Sequence, residues 1–139
     1  PIIIPPWVFK SIIQGSWVRE ITDLQYYCGD MTNGSSMAQN DELSYKVWIP
    51  EGTYTIYMVA VTDTNHGVTH IEIDTTEVGT MDWYNGSTLR NVVKSIASVN
   101  ITTSGLKDFD VKLATKNGSA SAYNAQIALI WLERTGDST

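Results

Sequence analysis

The chain predicts an all-β fold, a two-sheet antiparallel jelly-roll β-sandwich of about eight strands with an extended N-terminal arm, and three observations carry that expectation. Apolar residues recur with period two in one segment after another. Clusters of Gly, Asn, Ser, Thr and Pro separate the segments at short intervals. No stretch of useful length shows the 3.6-residue period of an amphipathic helix. With 139 residues, 42% of them hydrophobic, the chain has the size and composition for one core.

Residues 1–14 form the arm and residues 15–139 the sandwich. Pro1, Pro5 and Pro6 forbid a helix or a central strand at the start. The apolar side chains there, Ile2, Ile3, Ile4, Trp7, Val8 and Phe9, cannot sit in water without cost. They are expected either to lie on a partner as an assembly arm or to cover an edge of their own domain. Residues 17–24 read as the first strand, and the polar stretch 29–41 reads as turn chemistry without an apolar period.

Residues 42–49 alternate, with Leu43, Tyr45, Val47 and Ile49 on one face, and Pro50-Glu51-Gly52 makes a tight turn. Residues 53–61 carry apolar side chains on both faces, Tyr54, Ile56, Met58 and Ala60 against Tyr57, Val59 and Val61, which places this strand centrally. Further strands follow at 68–74, 77–83, 92–101, 109–114 and 125–132. The turns between them include Asn85-Gly86-Ser87, Thr103-Ser104-Gly105 and Lys116-Asn117-Gly118-Ser119. No internal repeat is present, which argues against propellers and solenoids.

Charge narrows the function. The net charge is −6 and no Lys/Arg cluster exceeds a pair, so the phosphate neutralisation that drives nucleic-acid binding, and attraction to anionic membranes, are not expected. No run approaches the ~20 apolar residues of a membrane helix. Cys28 is the one cysteine, which rules out an internal disulfide, and it reads as a small buried hydrophobe. The first residues lack the pattern of a signal peptide, while the Thr, Ser, Asn and Gly-rich composition suits an exposed surface. Synthesis in a host cytoplasm followed by exposure on a virion reconciles the two.

In the middle of the chain Pro50-Glu51-Gly52-Thr53-Tyr54-Thr55 leads into a strand, followed by His70-Ile71-Glu72-Ile73-Asp74 and Val78-Gly79-Thr80. Residues 92–101, the Gly105 turn, residues 109–113 and the closing segment 127–132 complete a series over roughly residues 42–132. It resembles the galactose-binding-like jelly roll of carbohydrate-binding modules such as family 6. Asp82-Trp83-Tyr84, Lys116-Asn117-Gly118-Ser119 with Tyr123, and Leu132-Glu133-Arg134-Thr135-Gly136 also resemble domains of phage tail fibres and capsid-decorating proteins. The first resemblance implies an aromatic wall after the Val-Gly-Thr strand and an Asn near the last strand as sugar contacts. Here those stretches hold Leu89-Arg90-Asn91 and residues 125–130, with Asn124 adjacent, so the family's usual site has no clear counterpart.

Loop aromatics pack against the CH faces of sugars, which makes Trp83 and Tyr84, beside Asp82, and Tyr123 with Asn124 the carbohydrate-binding candidates. The competing and stronger expectation for Trp83 and Tyr84 is burial, because rings of that size dominate cores. If the segments 63–67, 82–87 and 117–124 meet, they do so at one end of the sandwich. His66 and His70 are four apart, ~13 Å along an extended chain, which is too far for a shared metal. Asp63-Thr64-Asn65-His66-Gly67 departs from a calcium-loop pattern and reads as an Asx turn. Asn33, Asn85, Asn100 and Asn117 head Asn-x-Ser/Thr sequences, three of which are hairpin-turn chemistry.

No nucleophile elbow, phosphate loop or marked carboxylate pair is present. The chain is therefore expected not to be an enzyme, to have no catalytic residues, no metal centre and no cofactor beyond a structural calcium ion such as many jelly rolls hold in their loops. The leading functional expectation is a virion surface protein, a capsid-decorating or fibre-type homotrimer whose partners are itself, a capsid protein and surface glycans. A carbohydrate-binding module is the alternative, and a subunit of a cellular surface layer or filament the third.

Overall fold

A computed structural model describes residues 1–20, 31–34 and 37–139. Among these, eleven strands and no helix form two antiparallel sheets. In chain order they are β1 (Ile2–Ile4), β2 (Ser11–Gln14), β3 (Trp17–Glu20), β4 (Met31–Gly34), β5 (Glu42–Ile49), β6 (Gly52–Thr62), β7 (Val68–Ile73), β8 (Thr76–Asp82), β9 (Leu89–Ile101), β10 (Gly105–Thr115) and β11 (Ala125–Gly136). The six-stranded sheet runs β3-β4-β11-β6-β9, with β1 also alongside β11, and the five-stranded sheet runs β2-β5-β10-β7-β8.

The two-sheet all-β architecture is the expected one, and β6, apolar on both faces, lies between β11 and β9 as its pattern required. The three strands beyond the expected eight are short, and all lie where no period is visible. Residues 31–34, read as turn, instead form β4, which pairs with both β3 (Arg19↔Thr32) and β11 (Ile127↔Thr32). Backbone hydrogen bonds hold such a strand whatever its side chains, so composition did not reveal it. Cys28 and residues 21–24 of the first expected strand lie outside the described residues.

The N-terminal segment belongs to both sheets of its own domain. β1 pairs with β11 in the register Ile2↔Leu132, Ile3↔Trp131, Ile4↔Ile130, and β2 pairs with β5. Pro5 and Pro6 fall at the passage between them, where no ladder donor is needed, and the Pro6 carbonyl accepts the buried Tyr45 hydroxyl at 2.5 Å. Ile4 is buried and Ile2 and Phe9 pack half-buried against the core. Trp7 is half-buried, with the Arg19 guanidinium 4.8 Å from its ring centre. Only Ile3 and Val8 of the proposed assembly residues remain mostly outward, at 61% and 60% exposure.

The core lies between the sheets. Leu43, Tyr45 and Ile49 of β5 and Phe109, Val111 and Leu113 of β10 face Ile56 and Met58 of β6 across it. Tyr45 and Phe109 meet edge to face, with centroids 6.4 Å apart. On the outer side of the six-stranded sheet Tyr57 and Trp131 stack at 4.9 Å and 9°. The β7–β8 hairpin turns through Asp74 and Thr75, at φ 49° and 69°, as a two-residue hairpin loop whose backbone matches the twist of its strands.

Phe109 is fully buried, so Phe109→Ala is expected to lower unfolding stability by about 3–5 kcal/mol in urea titration. Val8→Ala, at an exposed position, should stay within about 0.5 kcal/mol of the wild type.

Candidate functional site

Three segments converge at one end of the sandwich, an arrangement the jelly-roll reading allowed. Residues 63–67 follow β6, residues 82–87 follow β8 and residues 117–124 precede β11. Asp63 bridges to Tyr84 and His66 to Asn124. The Asn85 N–H donates to the Asp63 carbonyl at 3.2 Å, and the Ser121 and Asn124 N–H groups donate to the Thr64 and Asn65 carbonyls at 3.0 Å. Side chains finish the lattice. Asp82 accepts the Tyr84 N–H (3.0 Å) and the Asn117 amide (3.0 Å), and Asp63 accepts the Thr64 N–H (2.7 Å) and the Thr88 hydroxyl (2.7 Å). These bonds hold the Asp63 carboxyl below its ordinary range, with the Thr88 hydroxyl the largest cause. Residues 63–67 are thus a turn closed by its own Asp.

This end is a closed frame more than a sugar platform. Trp83 is 1% exposed; its Nε1 donates to the Thr69 hydroxyl at 2.9 Å, and the Lys94 ammonium lies 5.6 Å from its ring centre. A ring with no open face cannot stack on a ligand, so Trp83 is corrected from candidate contact to core residue, as the size argument favoured. Tyr84 and Tyr123 are half-buried. Tyr123 packs on the core beneath Lys116, whose ammonium sits 5.8 Å from the ring. The Asn124 side chain accepts the Met37 N–H at 3.1 Å, and so fastens the loop end to residue 37. His66 and His70 have separate partners, Asn65 for the first, Glu77 and Thr115 for the second, and share no site.

Among the described residues, the exposed tryptophan lies elsewhere. Trp48 on β5 is 61% exposed, and directly across the ladder stands Leu106 of β10, at 60%. One step along, Lys46 and Asp108 are cross-strand partners with an ion pair of 2.5 Å, and Asp108 keeps the Lys46 ammonium charged to higher pH than usual. Farther along, the same outer face of the five-stranded sheet carries Glu42, Asp110 and Glu72. Trp48 lies on a strand, not among the loop aromatics that sugar contacts suggest. Its signal was nevertheless present: if Val47 and Ile49 face inward, Trp48 between them must face out.

No family model matches the chain, and no curated protein matches it. Its fold is nonetheless shared with solved structures. One is a Paenibacillus xanthan lyase, 22% identical with a TM-score of 0.80, where the match covers 99% of this chain and 14% of that one. Another is a family 36 carbohydrate-binding module in complex with calcium and xylotriose, 14% identical with a TM-score of 0.68, covering 94% of this chain and 98% of that one. A third is the carbohydrate-binding module of Cellvibrio mixtus lichenase 5A in complex with cellotriose, 20% identical with a TM-score of 0.57, covering 96% of each chain. The chain therefore shares the jelly-roll β-sandwich fold of these structures, the fold expected from the residue pattern of 42–132.

Burial depresses the pKa of His66 from its ordinary 6.5, against the opposing pull of Asp63. The unfolded chain takes up this proton before the folded one does. The His66 contribution to stability is therefore whole above pH 6.5 and declines as pH falls through the depressed folded value. Urea midpoints measured from pH 7.5 to 5 should fall more for the wild type than for His66→Gln; parallel curves would show that His66 does not titrate in this way.

Proposed function

We propose that this chain is a non-catalytic carbohydrate-binding module that holds a polysaccharide along the outer face of its five-stranded sheet. The observation that carries this reading is Trp48, an indole 61% exposed on a sheet face, opposite Leu106 and beside the Lys46–Asp108 pair. A pyranose presents CH groups on its ring face and hydroxyls at its rim. An open apolar platform with a charged donor and acceptor alongside matches both. The face is open at the Trp48–Leu106 end, while Glu42, Ser44 and Asp110 farther along it are enclosed, so a chain would cross the face at Trp48. The xylotriose and cellotriose complexes of the family 36 module and the Cellvibrio mixtus module make β-linked xylan and glucan the first ligands to try.

Glycoside hydrolysis by this face is disfavoured. It requires two accessible carboxyls across a cleft, whereas Glu42 and Asp110 are 8% and 6% exposed. The virion-surface trimer, and the cellular surface-layer subunit, find no comparable support. Their anchoring arm is engaged at home through β1 and β2, and the three structures named above are a lyase and two sugar-binding modules.

Affinity electrophoresis through xylan and mixed β-glucan gels, followed by calorimetry with xylotriose and cellotriose, tests the reading. Trp48→Ala is expected to weaken binding by roughly tenfold or more, as loss of a central Trp anchor does, while melting within a degree or two of the wild type. Tyr84→Ala and Tyr123→Ala should retain binding. Loss confined to the tyrosine variants would move the site to the loop end, and retardation by no polysaccharide would end the proposal.

A further inference from the structure

Three carboxylates meet on the outer face of the five-stranded sheet, on three adjacent strands. Asp110 of β10 stands opposite Glu72 of β7, and Glu42 of β5 is diagonal to it, opposite Lys112. One carboxylate oxygen from each lies within 4.8 Å of the others. Two of the three are almost completely enclosed, Glu42 at 8% and Asp110 at 6% exposure. An enclosed carboxylate ordinarily accepts hydrogen bonds or pairs with a cation. Asp110 Oδ1 is buried with no hydrogen-bond partner among the described residues.

The electrostatics are unfavourable in the same sense. Burial, then the charges of Asp110 and Glu72, push the Glu42 carboxyl above its ordinary range, and Lys112 offsets this only in part. Three negative groups facing one point, two of them dehydrated, form an arrangement that a bound positive ion would complete.

We infer that Glu42, Glu72 and Asp110 bind a divalent cation, and that calcium is the ion that fits. All donors are carboxylate oxygens, which select a hard cation over zinc or copper. Three oxygens no more than 4.8 Å apart leave a point within about 2.8 Å of each, so a small inward movement reaches the calcium–oxygen distance of about 2.3–2.6 Å, whereas magnesium demands about 2.0–2.1 Å in strict octahedral geometry. Water supplies the remaining ligands. The ion joins β5, β10 and β7 from outside the sandwich, so its effect is to tie together the middle of the five-stranded sheet. This departs from the expected loop location of a structural calcium: the ligands sit on strands, where the ladder holds them in place. The site is independent of the glycan proposal, since Glu42 and Trp48 are six residues apart on one strand, ~20 Å.

The test uses the whole chain, stripped with EDTA and dialysed, and CaCl2 alone as the probe. Calorimetry should show one site, and saturating CaCl2 should raise Tm by roughly 5 °C or more through mass action on the folded state. MgCl2 at equal concentration should give less than half that rise. Glu72→Gln and Asp110→Asn should abolish the calcium response. In EDTA each should melt no lower than the wild type, because removing one of three crowded charges relieves repulsion. Trp48→Ala should keep the full calcium response. No heat and no Tm change with CaCl2 would overturn the inference, as would a calcium response that persists undiminished in Glu72→Gln, the half-buried and best tolerated of the substitutions.

Discussion

Each sheet must give one face to the other, and this division governs everything else in the molecule. Period-two alternation sends Leu43, Tyr45 and Ile49 inward from β5 and leaves Glu42, Lys46 and Trp48 to the outside. Register transmits the choice across the ladder, so Phe109 is interior because Tyr45 is, and Leu106 is exterior because Trp48 is. The chemistry of the outer face is thus set by the residues the core does not use, and it is held to strand-level precision by a core that would fail if the register slipped.

The loop end illustrates the opposite regime. Its order comes from polar groups satisfying one another: the Asp63 carboxylate accepts three protein donors and that of Asp82 two, and backbone bonds link residues 63–67 to both other loops. Carboxylates employed in this way are not available to a ligand. Trp83, the side chain that looked most like a contact, closes the frame from beneath, and its indole N–H finds the Thr69 hydroxyl where it would otherwise be buried without an acceptor. Glycine has a part here too. A Cβ on Gly67 would stand 3.1 Å from the Tyr123 backbone, so any side chain there would crowd the close approach of these two loops.

The legibility of these features in the sequence followed physical lines. β5 through β11 were visible because each runs six residues or more, long enough to show an apolar pattern on one face or, in β6, on both. β1, β2 and β4 were not, since strands of three or four residues show too little of any period, and pairing through the backbone leaves no trace in side-chain type. For the site the divide is sharper. The fold class allowed the three loops to gather without requiring it, and the size of the Trp83 ring favoured burial over stacking. The outward direction of Trp48 was implicit in the alternation already drawn for its neighbours. The carboxylate cluster was out of reach: Glu42, Glu72 and Asp110 are 30 and 38 positions apart in turn, and only the orders β5-β10-β7 and the registers Asp110↔Ser44 and Asp110↔Glu72 bring them together.

The antiparallel pairing of the first strand with the last has a consequence for how force would pass through the sheet. Residues 130–132 of β11 are laddered to β6 along one edge and to β1 along the other, with β4 on residues 125–127. β11 is thus clasped on both sides, and a pull on the opening residues has to break the β1 ladder before it reaches the central strands.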